Sequence, residues 1–302
     1  MIIQIGWTFN LFEKEMSANR RRIKNLEAQL RSYISIIQGI LMVLFFSSFK
    51  TGRKLKNLKA KQRNCIVIAN GPSLDKEINS IIQNRDSSEL MALNFFCNTE
   101  YFKLLKPEYY CIADPGAFNS KNKNPILQKR IKNFLESFNE IDWECHLFYP
   151  HHFDKSIVLD SIKNPLIKKH KYNSVPLSSN SKLIFYLYSR GLLLPIPESV
   201  IISSIYLAIL LSFEKIHLFG VDHSWIKDFK VNKDNTTSIR LEHFGDSTDD
   251  TDNEKSISKF MISQYRLFNS HDVLNTYSKH KNVQIINNTF ASYIDSYKRI
   301  SD

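Results

Sequence analysis

CIVIANGPSL, Cys65 to Leu74, is an apolar run that breaks into Asn70-Gly71-Pro72-Ser73 and passes directly into the amphipathic stretch SLDKEI. The apolar run predicts a buried strand, and the turn residues behind it predict a helix from Ser73 to Gln83. Gly71 permits close backbone approach, Pro72 fixes the turn, and Ser73 can cap a helix whose first amides favour anions. The stretch outlines a cradle for a phosphate or a nucleotide. An ordinary strand-to-helix turn with a serine cap has the same outline.

The same alternation recurs outward from this point. Cys65–Ala69, Leu90–Leu93, Tyr109–Ala113, Cys145–Tyr149, Lys215–Phe219 and Val283–Ile286 read as strands, while Ser73–Gln83, Pro125–Asn139, Ser199–Ser212 and Glu254–Lys279 read as helices. That order predicts an α/β fold, a Rossmann-like and mostly parallel sheet with helices on both faces. Ligands of such sheets bind where the carboxyl ends of the strands meet their loops. Asn70, Asn94 and Asp114 stand at three successive strand ends and would converge on a ribose or base pocket, although each alone suits a cap or a turn.

A further strand, KIHLFGVDHSW, ends in Gly220, Asp222 and His223. The polar loop 226–237 behind it is long enough to cover a ligand, and a small lid is expected over about 223–250. It leads to Leu241-Glu242-His243-Phe244-Gly245-Asp246, in which His243 has the near-neutral pKa that suits a general base; a surface or structural histidine is the alternative. Asp249-Asp250-Thr251-Asp252 offers hard oxygen ligands for Mg²⁺ or Mn²⁺, but equally a solvated loop before a helix that starts near Glu254. Asn287-Asn288-Thr289 closes the last strand as a polar contact or as a turn.

Of the 302 residues, the first 63 hold 13 Lys/Arg against 3 Asp/Glu, whereas the rest hold 28 against 27. A basic excess confined to one end is not the footprint of a nucleic-acid-binding globule, so no nucleic acid partner is expected. Tyr33 to Phe49 carries no charge across 17 residues, the lower limit of what spans a bilayer, between Arg31 and Lys50, Arg53 and Lys54. It reads as a helix lying in or dipping into a membrane with its basic flanks on anionic headgroups; the alternative is a core helix or one that forms a homo-oligomer. Lys50 to Arg63 reads as a basic linker. The organisation expected is therefore a helical arm over 1–60, with its apolar segment at 33–49, and a nucleotide-binding catalytic domain over 61–302. Cys65, Cys97, Cys111 and Cys145 are too scattered for a zinc site or disulfide framework, and no secretory signal is evident. A cytoplasmic chain at the inner face of the cell membrane fits these features.

ANGPSL, LNFF, ADPGAF, EKIHLFGVDHSW and INNTF resemble, in that order, the core of the bacterial sialyltransferases of glycosyltransferase family 42. They also resemble the related motility-associated-factor and hydroxymethylpterin-pyrophosphokinase-like domains. The resemblance runs from about Asn64 to Tyr293 and leaves the arm outside. It implies an inverting transfer of a nonulosonic acid or related sugar from a CMP-activated donor to a hydroxyl of a glycan or glycolipid, of the lipopolysaccharide or O-antigen type. No metal or cofactor is implied, the CMP-sugar being a substrate.

By position, Asn70, Gly71 and Ser73 would meet phosphate and ribose, Asn94 and Asp114 the nucleoside, and Ser199 the cytosine, with Gly220 and Asp222 on the same nucleotide-binding edge. This chain departs from the family where Ala69 precedes Asn70 in place of glycine. It departs again where Ser224, between His223 and Trp225, replaces a tyrosine that steadies the departing phosphate, which makes His223 a candidate for that task. The catalytic histidine of the family corresponds to the stretch His243-Phe244-Gly245-Asp246, so the base is His243 or Asp246. Two alternatives stand beside this: a Mg²⁺-dependent pyrophosphokinase-like enzyme that uses the acidic run, and a non-catalytic, membrane-tethered nucleotide-binding module.

Overall fold

The computed structural model describes residues 23, 26–27, 29–118, 124–239, 251–253 and 256–299. Two helices lead in, α1 (Gln29–Phe46) and α2 (Phe49–Lys56). An alternating series follows: β1 (Asn64–Ile68), α3 (Leu74–Gln83), β2 (Ser88–Leu93), α4 (Tyr101–Leu105), β3 (Tyr109–Cys111), α5 (Pro115–Phe118), α6 (Pro125–Asn139), β4 (Cys145–Pro150), α7 (Ile157–Ser161) and β5 (Ile167–Tyr172). After α8 (Lys182–Ser189) and α9 (Val200–Leu210) come β6 (Lys215–Phe219), the short strands β7 (Phe229–Val231), β8 (Thr237–Ile239) and β9 (Thr251–Asn253), then α10 (Ile257–His280), β10 (Gln284–Asn287) and β11 (Lys298–Arg299).

Eight strands form one parallel sheet in the order β11-β10-β6-β1-β2-β3-β4-β5. The chain builds outward from β1 to β5, then returns through α8 and α9 to place β6 on the other side of β1. This reversal between β1 and β6 is the point at which such sheets open a crevice. Ile68 pairs with both Ala92 and Phe219, so β1, β2 and β6 end level. Their loops consequently share one edge.

Alternate residues feed two cores, as the pleat requires. Cys65, Val67, Met91, Leu93, Ile216 and Leu218 pack beneath α9, and Ile66, Ile68, Leu90 and Ala92 pack beneath α3 and α4 with Phe134 and Phe138 of α6. The α9 sequence VIISSIYLAIL is apolar on almost every side and is buried from Ile201 to Leu210. The four thiols are free and buried, and burial pushes those of Cys97 and Cys111 up to about 12.

The expected parallel α/β sheet with helices on both faces is what the chain forms. The reading of Lys50 to Arg63 as a linker needs correction, because α2 occupies its first half. Ser48 caps α2 by accepting from Thr51 N at 3.2 Å, Leu55 is buried in the core, and Gly52 lies directly against the backbone of Arg190 and Gly191. The apolar segment also touches the domain, since Val43 belongs to the same core as α9. Glu89 of β2 then holds the approach to β1, accepting from Lys61 N at 2.7 Å and Gln62 N at 3.0 Å. Strand β5, IKKHKY, was not expected: Lys168, Lys169 and Lys171 interrupt its apolar pattern, as befits an exposed edge that must not pair further. Strands β7 and β8, within the expected lid, and β9, just beyond it, form a small antiparallel sheet, and Phe229 stacks on Phe260 of α10 at 4.3 Å.

Candidate functional site

The floor of the crevice is a contact between two backbones. Ala69 N donates to Phe219 O at 2.9 Å and Gly71 N to Gly220 O at 2.8 Å, so the β1 and β6 loops run on together past the sheet. Gly220 has φ +65°, and a side chain there would collide with the Ala69 carbonyl. A side chain on Gly71 would collide with the Asp222 carboxylate and the Gly220 carbonyl. Both positions require glycine.

Asp222 lies behind this contact. Its Oδ2 accepts from the Ser73 hydroxyl at 2.9 Å, which corrects the expectation that Ser73 caps α3: its side chain makes no capping bond. Glu77, one turn along α3, accepts from Gly220 N at 2.8 Å and from Phe290 N at 3.1 Å. Burial pushes both carboxyls above their ordinary values. The segment after β10 completes the support: Val221 N donates to Thr289 Oγ1 at 3.0 Å, Ser292 Oγ to Val221 O at 2.7 Å, and Tyr293 N to Asp222 O at 2.8 Å. Both readings of the INNTF segment hold: Thr289 N donates to Asn287 Oδ1 at 3.1 Å in a turn, and Thr289 makes a polar contact within the chain, to the loop after β6.

Above the floor is a cleft of about 850 Å³. Asn70, Gly71, Asn94, Asp114, Ser199, Gly220, Asp222 and His223 all line it; Ser73 sits beneath, out of the lining. Asn70 Oδ1 is buried with no hydrogen-bond partner, a state that costs about 1–3 kcal/mol until a donor arrives. Asn94, in the left-handed region at φ 44°, accepts from Ala113 N at 3.2 Å and so ties the end of β3 to the end of β2. Asp114 Oδ1 accepts from Gly116 N at 2.8 Å. His243 and Asp246, the candidates for the base, lie outside the described residues, as do Asp249 and Asp250 of the acidic run. Among the described residues no three His, Cys, Asp or Glu side chains gather where they could hold a metal ion.

The opposite wall was not anticipated. Lys129, Arg130 and Asn133 of α6 reach the cleft, as do Phe95, Asn98 and Glu100 from the 3₁₀ turn behind β2. Asn124 caps α6, accepting from Ile126 N at 3.0 Å, with Pro125 in the first turn. In sequence these cations look like the solvated face of an amphipathic helix. Only their spacing, with Asn133 four residues after Lys129, hints at a shared face.

His223 is held in the left-handed region at φ 51°, with its Nε2 3.1 Å from His271 Nε2, and His271 Nδ1 lies 2.9 Å from the Tyr297 hydroxyl. Burial lowers His223 to about 4 and His271 further, so both rings are neutral at neutral pH. Imidazole nitrogen is a better acceptor than phenol oxygen, so Tyr297 donates to His271 and His271 to His223. The proton of His223 then sits on Nδ1.

The profile of the family described as 6-hydroxymethylpterin diphosphokinase MptE-like matches residues 45–228. The chain belongs to this MptE-like family. The matched span opens within α1 and contains every cleft-lining residue named above; His271, Thr289, Ser292 and Tyr297 lie beyond it. The resemblance to hydroxymethylpterin-pyrophosphokinase-like domains is thereby borne out, over a span that begins before Asn64. Among solved structures, the MAf glycosyltransferase from Magnetospirillum magneticum AMB-1 is similar at a TM-score of 0.46 and 15% identity, over 83% of this chain and 37% of that one. The MptE-like chain thus spans little more than a third of that protein. No curated protein matches it.

Proposed function

We propose that the chain is a glycosyltransferase that moves a nonulosonic acid or related sugar from a CMP-activated donor to a hydroxyl of a cell-surface glycan or glycolipid. The observation that carries this reading is the charge of the cleft. Among the described residues it is lined by Lys129 and Arg130 as cations and by Glu100, Asp114, Glu198 and Asp222 as acids. Two cations suit a donor with one phosphate and one carboxylate. The four carboxyl groups oppose any anionic donor, and the more highly charged polyphosphate of ATP meets more of that repulsion unless a divalent ion lies between them.

Asn70 supplies the unpartnered acceptor for a ribose hydroxyl, and Asn94 and Asp114 line the nucleoside end. In the reaction the acceptor oxygen attacks the anomeric carbon, its proton passes to His243 or Asp246, and the bond to the CMP phosphate breaks with its electron pair on the phosphate oxygen. A single displacement of this kind inverts the anomeric centre. Neutral His223, with a proton on Nδ1, donates to the departing phosphate without adding charge. His243→Ala lowers turnover by about 10²–10⁴-fold if that residue is the base, with the melting temperature unchanged. Near-normal transfer would shift the assignment to Asp246.

A second reading, transfer of diphosphate from ATP, is favoured by the description of the family, and the acidic run, whose Asp249 and Asp250 lie outside the described residues, would then hold Mg²⁺. One experiment separates the two: melting of the full chain with CMP, CDP, UDP, GDP or ATP, each with Mg²⁺ and with EDTA. A ligand that binds the folded state raises the midpoint. Stabilisation by CMP in EDTA supports the glycosyltransferase; stabilisation by ATP alone, and only with Mg²⁺, overturns it.

A further inference from the structure

Helix α1 exposes more apolar surface than a helix in water would. Toward the domain it turns Ser35 and Gly39 together with Val43, which is buried in the core. Ser35 Oγ lies 2.9 Å from Ser179 Oγ, Gly39 rests against the side-chain ends of Ile184, Leu177 and Leu193, and Ser47, just past its end, donates to Leu192 O at 2.6 Å. Away from the domain it turns Tyr33, Ile34, Ile37, Leu41, Leu44 and Phe45, all exposed, Leu44 by 66% and Phe45 by 75%. These residues recur at helical spacing and form one continuous apolar strip. An exposed strip of this kind marks a contact surface.

Charge decides what covers it. Arg31 precedes the strip, and Lys50, Arg53, Lys54 and Lys56 follow it on α2 with no acidic residue in that helix. A second copy of the chain would bring the same cations against these, whereas anionic headgroups neutralise them. The face packed on the domain decides the orientation. To cross a bilayer, α1 would have to leave Ile184, Leu177 and Leu193, against which Gly39 packs. Lying flat, it keeps its packing on the domain and buries its strip. Helix α8, on which Gly39 rests, itself exposes Leu183 and Tyr186, with Arg190 over the Tyr186 ring.

The cleft is close by. Ser178, next to the partner of Ser35, accepts from Ile196 N at 3.0 Å, and Glu198 and Ser199 of the cleft wall follow directly. We propose that the outward strip of α1 seats this chain on an anionic bilayer, the helix lying in the membrane plane with the Pro197–Ser199 wall of the cleft beside it. A lipid-borne acceptor follows if the chain is the transferase proposed above; the seat on the bilayer does not depend on that reaction.

The test is co-sedimentation of the full chain with phosphatidylcholine vesicles, with and without phosphatidylglycerol. Binding to the anionic vesicles is expected to weaken with salt and to fall about tenfold or more in Ile37→Glu/Leu41→Glu, while circular dichroism and the nucleotide-induced melting shift stay as in the parent. Should the double variant misfold, Leu44→Glu alone serves. Undiminished binding by a folded variant overturns the proposal, as does a stable dimer that the variant abolishes while neither protein binds vesicles. Orientation is read from Gln29→Cys and Lys50→Cys with an impermeant maleimide, because Cys65, Cys97, Cys111 and Cys145 are buried and silent. Labelling of both sites from outside is expected. Protection of one site alone means a spanning helix and overturns the in-plane orientation.

Discussion

At the β1–β6 floor of the cleft, Gly71 and Gly220 hold backbone to backbone while Ser73, Glu77 and Asp222 fill the space behind them. Along the α6 wall, Lys129, Arg130 and Asn133 stand on a helix whose cap and core contacts, Asn124, Phe134 and Phe138, are made by other residues. The floor is shape: each of its groups is satisfied by another part of the same chain. The wall is charge, and its exposed Lys129 stands on a scaffold held by other residues. A change in the floor therefore disturbs folding and binding together, and a change at Lys129 disturbs binding alone.

The largest effect is expected for Gly71→Ala. The new methyl group meets the Asp222 carboxylate and the Gly220 carbonyl, neither of which can retreat without breaking a bond to Ser73 or to Gly71 itself. Overpacking of this kind costs about 2–3 kcal/mol, a fall of about 3–5 °C in melting temperature for a chain of this size. Nucleotide stabilisation should vanish with it. A variant that melts as the parent does and still binds nucleotide would show that the floor yields, and the contrast with the wall would fail.

The buried histidines extend the floor toward α10 and give it a pH signature. The folded chain holds His223 down at about 4 against an ordinary 6.5, so between those values the unfolded chain takes up a proton that the folded chain refuses. Stability from the His223–His271 pair is complete above pH 6.5 and is lost as the pH falls toward 4. Glu77 and Asp222 act in the opposite sense: burial raises them, and their stabilisation is lost as the pH rises through their folded values. In His271→Gln the decline on acidification should flatten by up to about 1.4 kcal/mol per pH unit, even though the variant is less stable at neutral pH. Denaturant midpoints between pH 7 and 5 measure this, and an unchanged slope would mean that the pair is not sealed.

Lys129→Ala tests the wall. The side chain is exposed, so folding should be unaffected to within about 0.5 kcal/mol, while nucleotide affinity falls about tenfold at low salt and less at high salt. Titration by calorimetry at two ionic strengths reads both. A drop in melting temperature comparable with that of Gly71→Ala would erase the distinction between the two surfaces.

The same distinction decides what could be read from the sequence. The floor announces itself locally, because glycine after a buried strand has few other uses, and ANGPSL and GVDHSW name both of its loops. Helix α6 is legible to its ends, Pro125 and Asn139, through its proline and asparagine start and its apolar period. The braces are not legible: Glu77 sits on an ordinary amphipathic helix, and its partner Gly220 lies 143 residues away. Strand β5 and helix α2 are hidden by their lysines and arginines, which report solvent on one side and say nothing of Leu55, Ile167 or Tyr172 on the other. Lys129 is hidden for the same reason. A surface cation that faces a cleft and one that faces bulk water follow the same helical rule.

Asn70 belongs to neither surface, and the smallest effect is expected there. It sits on the floor loop, yet its Oδ1 has no partner in the chain, unlike the groups that brace the floor. An acceptor sealed from water without a donor destabilises the free protein, and its removal should return about 1 kcal/mol. Asn70→Ala is thus expected to melt slightly above the parent when free and to gain less from nucleotide, so that the order of the two proteins reverses when ligand is added. If Asn70 were only another brace, the variant would melt below the parent with or without ligand.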